Sequence, residues 1–244
     1  MGRRNLPSDR RRAGAAPSAP AVFDPATLSL TGWWRANFAS IPWAGTASAG
    51  TSAAKNLTNV GDVDPTTGTA QNGLTPAEFN GTSQATSYAA AISNLVGASA
   101  GSVFALVRPG SAAASSGSAL TDPAFWGDDG GNLCMAFSTG GVGFGFYDGV
   151  QKRIQIACTT GAYHLLQMKW NGTNAFARVD SGGWSSLAVG PIVSLVSNLS
   201  VGKQPFVAFY DFRLLDLGFA SSVLSDGTFD DIKSYVNSRY GLAL

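Results

Sequence analysis

The chain has 244 residues, of which 45% are hydrophobic, 13% are charged and 30 are glycine. A charged fraction about half of the usual ~25% argues against intrinsic disorder, a coiled coil or a charged helix bundle. The net charge is +1, the acids include one glutamate (Glu78), there is one histidine (His164), and no apolar run approaches the ~18 residues of a membrane span.

Residues 1–25 form a basic N-terminal arm that we expect to be extended and flexible. Residues 1–12 hold five arginines and one aspartate, whereas the rest of the chain has more acids than bases. Ala, Ser and Pro follow, a composition that does not bury a core, and no apolar stretch makes the segment a secretory signal. The arm is a solvated tail, a segment that orders on a partner protein, or a phosphate-binding arm for nucleic acid. The last is disfavoured, because no aromatic residues stand between the arginines Arg3, Arg4, Arg10, Arg11 and Arg12.

The body predicts short strands separated by turns. Asp148-Gly149 predicts a hairpin with a type I′ turn, which needs positive φ at both central positions, and Asn171-Gly172 predicts a second hairpin. Strands at roughly ten-residue spacing are typical of a sandwich or barrel. The predicted strands are Ser102–Arg108, Leu133–Ser138, Val142–Tyr147, Val150–Cys158, Tyr163–Trp170, Thr173–Val179, Ser200–Val201 and Phe206–Leu215.

One helix is predicted over residues 226–239. Ser225 is a suitable N-cap, and Gly241 suits the position after the last turn. A lone terminal helix on an all-β body usually covers a sheet edge or face. Its apolar stripe consists of Phe229, Ile232, Val236 and Tyr240.

Three stretches occur in a characteristic order: Leu30–Asn37 (LTGWWRAN), Ala77–Ser83 (AEFNGTS) and Leu224–Leu242. Together they resemble the concanavalin A-like lectin and glucanase superfamily, in the laminin-G-like form found in bacterial and phage proteins. Tyr163–Asp180 resembles the central hairpin of that family. The resemblance implies an all-β jelly-roll sandwich of two antiparallel sheets over residues 26–244, including the C-terminal helix. It implies no single function, because this fold carries lectins, glycanases and structural modules.

Phe125–Asn132 (FWGDDGGN) is the candidate glycan site. Trp126 could stack on a pyranose ring, while Asp128, Asp129 and Asn132 could bind its hydroxyls. The same oxygens could hold Ca²⁺, although the spacing of an EF-hand is absent. The alternative is a structural Asp-Gly turn beside a packed tryptophan. We expect no cofactor and no metal, with Ca²⁺ left open.

Adjacent strand residues point to opposite faces, so one of Trp33 and Trp34 is expected in the core and the other is a candidate exposed contact. Two cysteines, Cys134 and Cys158, are too few for a four-cysteine zinc site. They are either one disulfide or two buried thiols, and the sequence does not choose.

The residue types disfavour catalysis. Glycoside hydrolysis needs two carboxylates at a defined separation, and Glu78 has no acid within several residues. His164 alternates in phase with the apolar residues of a strand, and no G-x-S-x-G elbow supplies a nucleophile. The sequence therefore predicts a protein that is not an enzyme. The remaining acid pairs are turn acids or neighbours on opposite faces: Asp62/Asp64, Asp128/Asp129 and Asp230/Asp231.

These features favour a structural protein of a bacteriophage virion, as capsid decoration or as a tail or fibre component. A body with few charges packs against neighbours at little desolvation cost, and about 20 extended arm residues reach ~60 Å. The arm would bind other virion proteins or further copies of this chain, and the jelly roll would aid attachment to a host-surface glycan. The alternative is a bacterial carbohydrate-binding domain outside the cell or on its surface, and a glycoside hydrolase is less favoured. Capsid or tail location, oligomeric state and the glycan stay open.

Overall fold

The computed structural model describes residues 23–40, 43–45, 55–61, 63–110, 124–203 and 209–244. These residues form two antiparallel sheets of eight strands, packed face to face as a jelly-roll sandwich, with one α-helix near the C-terminus. The predicted all-β jelly roll is confirmed. Residues 1–22 of the predicted arm, with Arg3, Arg4, Arg10, Arg11 and Arg12, lie outside the described residues. Residues 23–25 are described and pack on the body, where Pro25 is buried and Phe23 contacts the apolar cluster that includes Phe229.

The strands and the helix follow one another in this order. They are β1 (Gly32–Arg35), β2 (Trp43–Gly45), β3 (Lys55–Asn59), β4 (Thr66–Thr67), β5 (Ala77–Asn80), β6 (Thr86–Ala91), β7 (Gly101–Pro109), β8 (Ala124–Asp128), β9 (Leu133–Ser138), β10 (Gly141–Tyr147), β11 (Gln151–Ile156), β12 (His164–Trp170), β13 (Asn174–Val179), β14 (Ser185–Ala188), β15 (Asn198–Val201), β16 (Asp211–Ala220) and α1 (Asp226–Tyr240). The first sheet has the order β14-β13-β12-β7-β16-β5-β4, with β1 as its eighth strand, paired to β16. The second sheet has the order β11-β10-β9-β8-β15-β6-β3-β2.

The middle of the first sheet is buried on both faces, which explains the nearly continuous apolar run of β7. Val103, Ala105 and Val107 belong to the core between the two sheets. Phe104 and Leu106 point the other way, into a second core beneath α1. A strand covered on both faces loses the alternation of apolar and polar residues that marks a half-exposed strand.

Helix α1 covers the outer face of the first sheet, as its sequence predicts. All four residues of its stripe are fully buried. The Ser225 Oγ accepts a hydrogen bond from the Thr228 N–H at 3.1 Å, and Gly241 ends the helix with φ 63°. Trp34 lies in the core between the sheets and Trp33 lies under the helix, so neither is an exposed contact. The sequence predicts that the two tryptophans point to opposite faces of the sheet. It does not predict that α1 covers Trp33.

The N-terminal half of α1 is held to the sheet by buried cations. Arg178 on β13, whose side chain is 7% exposed, lies 2.8 Å from Asp230 of the helix. Lys169 on β12 pairs with Asp226 in the first turn. The ring of Trp184 lies between these cations, 4.5 Å from Lys169 Nζ and 4.6 Å from the guanidinium of Arg178. These contacts fix where the helix sits on the sheet.

Strand β16 runs from Asp211 to Ala220, five residues beyond the predicted end at Leu215. The predicted start at Phe206 lies outside the described residues. Asp216 is fully buried beneath α1, where it accepts hydrogen bonds from Trp33 Nε1 at 3.0 Å and from the Tyr240 hydroxyl at 2.6 Å. Gly218 faces Phe104 so closely that a Cβ there would lie 2.2 Å from the ring. Asp216 and Gly218 both disfavour a strand assignment from sequence alone. The residues that pack on them explain why they occur in this strand.

The two predicted Asx-Gly hairpins exist with longer loops than a type I′ turn. Tyr147 pairs with Gln151, which leaves a three-residue loop in which Gly149 has φ 104° and Asp148 does not have positive φ. The Asp148 carboxylate instead holds Lys152 Nζ at 2.6 Å and the Gly190 N–H at 2.7 Å. Asn171 likewise uses its side chain to accept from two backbone N–H groups of its own turn. Asx side-chain bonding therefore replaces the expected backbone geometry.

The two cysteines are not joined. Cys134 is buried in a small cluster with Ala124 and Ala136, whereas Cys158 packs beside the core between the sheets. The sequence left open whether the cysteines form a disulfide, and in the structure they are two separate thiols. Burial raises the pKa of the Cys158 thiol to about 12.

Candidate functional site

Trp126 lies inside the sandwich and not at its surface. The residue is fully buried on β8, and its ring meets Phe219 of the opposite sheet edge-on at a centroid distance of 5.3 Å. The indole offers no face to a sugar, which corrects the expectation that it stacks on a pyranose. The physical reason is that β8 is buried along its whole length between β9 and β15.

Asp128 closes the turn that follows β8. Its Oδ1 accepts from the N–H groups of Asn132 at 2.5 Å and Leu133 at 2.6 Å. Its Oδ2 accepts from the Gly130 N–H at 3.2 Å and from Asn132 Nδ2 at 3.0 Å. A carboxylate has about four acceptor sites, so these donors leave none for a sugar hydroxyl or Ca²⁺. Burial raises the pKa of Asp128, although its hydrogen bonds act in the opposite direction.

The other two residues of the predicted site also serve the turn. Asp129 accepts from the Ser200 hydroxyl, and Asn132 donates to the Ser194 carbonyl at 3.1 Å. Across the described ranges, no group of three or more His, Cys, Asp or Glu side chains is placed to hold a metal ion. The structure thus brings Asp128, Asp129 and Asn132 together, but as a structural turn.

A concave region of about 310 Å³ lies between the end of β1 and β2. Trp33 and Trp43 line it, but they are only 2% and 5% exposed. Both indole N–H groups bond to the protein, Trp33 to Asp216 at 3.0 Å and Trp43 to the Arg35 carbonyl at 3.1 Å. The Arg35 guanidinium covers the Trp33 ring at 4.3 Å. Other groups of the protein therefore already contact the two tryptophans of this region.

A cleft of about 450 Å³ lies where residues 157–163 cross from β11 to β12. His164 Nδ1 lies 2.7 Å from Asp180 Oδ2, and its Nε2 lies 3.0 Å from the Thr159 hydroxyl. A neutral imidazole with its proton on Nδ1 satisfies both contacts, donating to Asp180 and accepting from Thr159. The second Asp180 oxygen accepts from the Leu165 N–H at 2.8 Å. His164 is thus a partly buried strand histidine that ties the crossover to β13.

The order of hydroxyl, imidazole and carboxylate in this cleft is that of a catalytic triad. Acyl transfer also needs backbone N–H groups aimed at the developing oxyanion. The nearby N–H of Gly161 bonds to the Pro109 carbonyl at 2.8 Å, and that of Gly182 bonds to the Val179 carbonyl at 2.9 Å. Those two donors are committed within the fold. We call the arrangement of Thr159, His164 and Asp180 the clasp.

A third concave region, of about 210 Å³, lies on the outer face of the first sheet. We call it the arginine pocket, and it is lined by Glu78, Arg108, Asp211 and Arg213 with backbone from Pro109, Gly110 and Gly161. Arg213 on β16 stands opposite Arg108 on β7 and opposite Glu78 on β5. An Arg213 Nη lies 3.0 Å from Glu78 Oε1, and Arg108 Nε donates to the Gly161 carbonyl at 2.7 Å.

The hydroxyl of Tyr163 is buried and has no hydrogen-bond partner. Its charged neighbours are those of the arginine pocket: burial raises the pKa of Tyr163, and Arg213 and Arg108 act against that rise. A buried polar group without a partner costs about 1–3 kcal/mol, so native structures usually satisfy it with protein, water or ligand. Tyr163 itself is not among the described residues that line the pocket.

Sequence reasoning missed this pocket because its parts come from distant strands. Glu78 and Arg213 are 135 residues apart in the chain. Glu78 has no acid close to it in the sequence, but the fold brings Asp211 to the same pocket. One signal was present. Arg108 and Arg213 each stand among the apolar residues of a predicted strand.

No protein-family model and no curated protein matches this sequence. Solved structures do match in fold. The receptor binding domain of botulinum neurotoxin D is 9% identical with a TM-score of 0.60, covering 84% of this chain and 52% of that one. The receptor binding domain of botulinum neurotoxin type G is 10% identical with a TM-score of 0.59, covering 88% and 51%. A Trypanosoma rangeli sialidase in complex with the inhibitor DANA is 8% identical with a TM-score of 0.57, covering 86% and 33%.

The chain spans about half of the length of the toxin domains that it matches. At such low identities the likeness shows the β-sandwich fold alone. In the described part of the chain, no helix is long and apolar enough to cross a membrane.

Proposed function

We propose that the protein is a carbohydrate-binding β-sandwich module of the lectin type, and that its ligand site is the arginine pocket. The observation that carries the proposal is the lining of the pocket, where the guanidinium groups of Arg108 and Arg213 stand beside the carboxylates of Glu78 and Asp211. Sugar hydroxyls both donate and accept hydrogen bonds, so arginine donors together with carboxylate acceptors suit them. The fold supports the proposal by likeness, and the resemblance in sequence favours a concanavalin A-like, laminin-G-like domain.

The proposed module is not an enzyme. Glu78 and Asp211 share the pocket, but Glu78 is paired with Arg213. Asp128 and Asp230 have structural partners too, Asp128 in its turn and Asp230 on Arg178. We expect no release of reducing sugar from any glycan that binds. Release that disappears in Glu78→Gln would overturn this part of the proposal.

A glycan array tests the binding function directly. We expect the full chain to bind a subset of saccharides, and Asp211→Asn to weaken that binding about three- to tenfold, because a charged acceptor for sugar hydroxyls is lost. Asp231→Asn is the matched control, since it makes the same change at an exposed position of α1. Equal binding by wild type and Asp211→Asn would remove the pocket as the site.

The setting that we propose is the virion of a bacteriophage, with the jelly roll displayed as capsid decoration or as a tail or fibre component. The support comes from sequence: a basic arm on a body with few charges. We expect light scattering to show an oligomer, or a complex with virion proteins, that is lost when residues 1–20 are deleted. Sugar binding should survive the deletion. A monomer in both forms, with sugar binding intact, would favour the bacterial carbohydrate-binding domain.

A further inference from the structure

Two arginines stand directly opposite each other on neighbouring strands in the arginine pocket. Arg108 on β7 and Arg213 on β16 are register partners, and like charges directly opposite each other are destabilising in a sheet. Both side chains are half-exposed and both line the pocket. Glu78 contacts Arg213, and the carboxylate of Asp211 lines the same pocket.

The hydrogen bonds of the described residues leave donors over in this pocket. Arg108 donates through Nε to the Gly161 carbonyl, which holds the guanidinium in place. Arg213 uses one terminal nitrogen on Glu78. A planar guanidinium with free terminal nitrogens matches the geometry of a carboxylate or sulfate, which accepts two parallel hydrogen bonds.

The pocket also holds acceptors on its other wall. The Asp211 carboxylate lies against Gly110, where a Cβ would approach Oδ2 to 2.2 Å, so the glycine lets this carboxylate sit at the wall. Asp211 and Glu78 can accept from hydroxyl groups but would repel a second anionic group. The volume of about 210 Å³ equals roughly seven water molecules at about 30 Å³ each. A compact ligand with one anionic group and several hydroxyls fits this distribution.

We propose that the ligand of the arginine pocket is an anionic saccharide, whose carboxylate or sulfate lies between Arg108 and Arg213 and whose hydroxyls reach Asp211 and Glu78. This inference rests on the proposed carbohydrate-binding function and narrows it to acidic sugars. Arg213 is already paired with Glu78, whereas Arg108 bonds to a backbone carbonyl, so the anionic group of the ligand would supply the counter-charge of Arg108.

The test compares acidic probes with matched neutral ones in affinity electrophoresis of the full chain. The pairs are polygalacturonate with its methyl ester, and dextran sulfate with dextran, which separate a carboxylate from a sulfate as the recognised group. We expect at least one acidic probe to retard the protein while its neutral partner does not, and the retardation to fall as salt is raised. Equal retardation by an acidic and a neutral partner would overturn the inference and leave the proposed function standing. No binding to any saccharide, on the array or in the gel, would overturn both.

Variants then locate the site. Arg108→Gln should weaken binding of the acidic probe at least tenfold, and Arg108→Lys should restore only part of it, because lysine keeps the charge without the paired donors. Arg153→Gln, on the second sheet, makes the same change in net charge and should bind like wild type. If Arg108→Gln and Arg153→Gln weaken binding equally, the effect is one of overall charge and the pocket is not the site. Thermal melting of each variant checks that the sandwich is intact.

Discussion

The Tyr240 hydroxyl, in the last turn of α1, donates a 2.6 Å hydrogen bond to Asp216 in the middle of the sheet beneath it. With the 3.0 Å bond from Trp33, this contact joins the first strand, the last strand and the helix at one buried carboxyl group. Burial raises the pKa of Asp216 to about 7 from an ordinary value of 3.8. A buried acid of this kind links the stability of the fold to pH.

Asp216→Asn should change how stability depends on pH. Between about pH 4 and 7 the folded protein keeps a proton on Asp216 that the unfolded chain has released, so wild type loses stability as the pH rises. At about 1.4 kcal/mol per pKa unit, the loss is on the order of 4 kcal/mol. We expect urea unfolding at pH 4–8 to show that the free energy of unfolding of the variant rises relative to that of wild type up to pH 7. Above pH 7 the difference between the two should stay constant. A difference that stays constant with pH would contradict the raised pKa, and Asp231→Asn, exposed on the same helix, is the control.

Asp230→Ala should destabilise the protein by about 1–2 kcal/mol. Arg178 is 7% exposed, and removal of its carboxylate partner leaves a nearly buried cation with one fewer acceptor. Asp231→Ala, at the next helix position and exposed, should change the free energy of unfolding by less than about 0.5 kcal/mol. Equal effects in urea unfolding would mean that the ion pair does not hold the helix.

The fold uses two properties of Asp180, its backbone conformation and its carboxylate, and substitutions can remove them separately. Its backbone is left-handed, with φ 54°, and its carboxylate bonds to His164 and to the Leu165 N–H. Asparagine tolerates this φ and keeps an acceptor, so Asp180→Asn should cost about 1 kcal/mol or less. Asp180→Ala loses both features and should cost about 2–3 kcal/mol. Chemical denaturation checks the order, and equal costs would show that the clasp adds nothing.

The two thiols should react slowly in the native protein. Cys134 is fully buried, and a pKa of about 12 keeps Cys158 as a thiol at pH 8, whereas the thiolate is the nucleophile. Mass spectrometry after iodoacetamide should find little label in the folded protein and two labels in urea without reductant. Rapid labelling of native Cys158 would contradict its environment, and absence of label in urea would indicate a disulfide.

Local sequence patterns predicted the elements whose conformation is set by contacts between residues close together in the chain. The helix is the clearest case, because its cap, stripe and terminal glycine lie within one segment. Strand β16 was cut short because Asp216 and Gly218 are unfavourable in a strand until Trp33, Tyr240 and Phe104 are packed on them. The glycan site was misplaced for a similar reason, since an aromatic beside acids looks the same in sequence whether it faces sugar or core. The arginine pocket depends on the register between strands far apart in the chain, which no local pattern contains.

The position of β16 in the first sheet has a consequence for synthesis on the ribosome. β7 runs along one edge of β16, while β5 pairs with residues 211–214 and β1 with residues 216–219 on the other. Among the described strands of its sheet, β1 therefore has no partner until residues 216–219 have been translated. The first sheet cannot close vectorially from β1, whereas β2, β3 and β6 of the second sheet can pair before β16 leaves the exit tunnel.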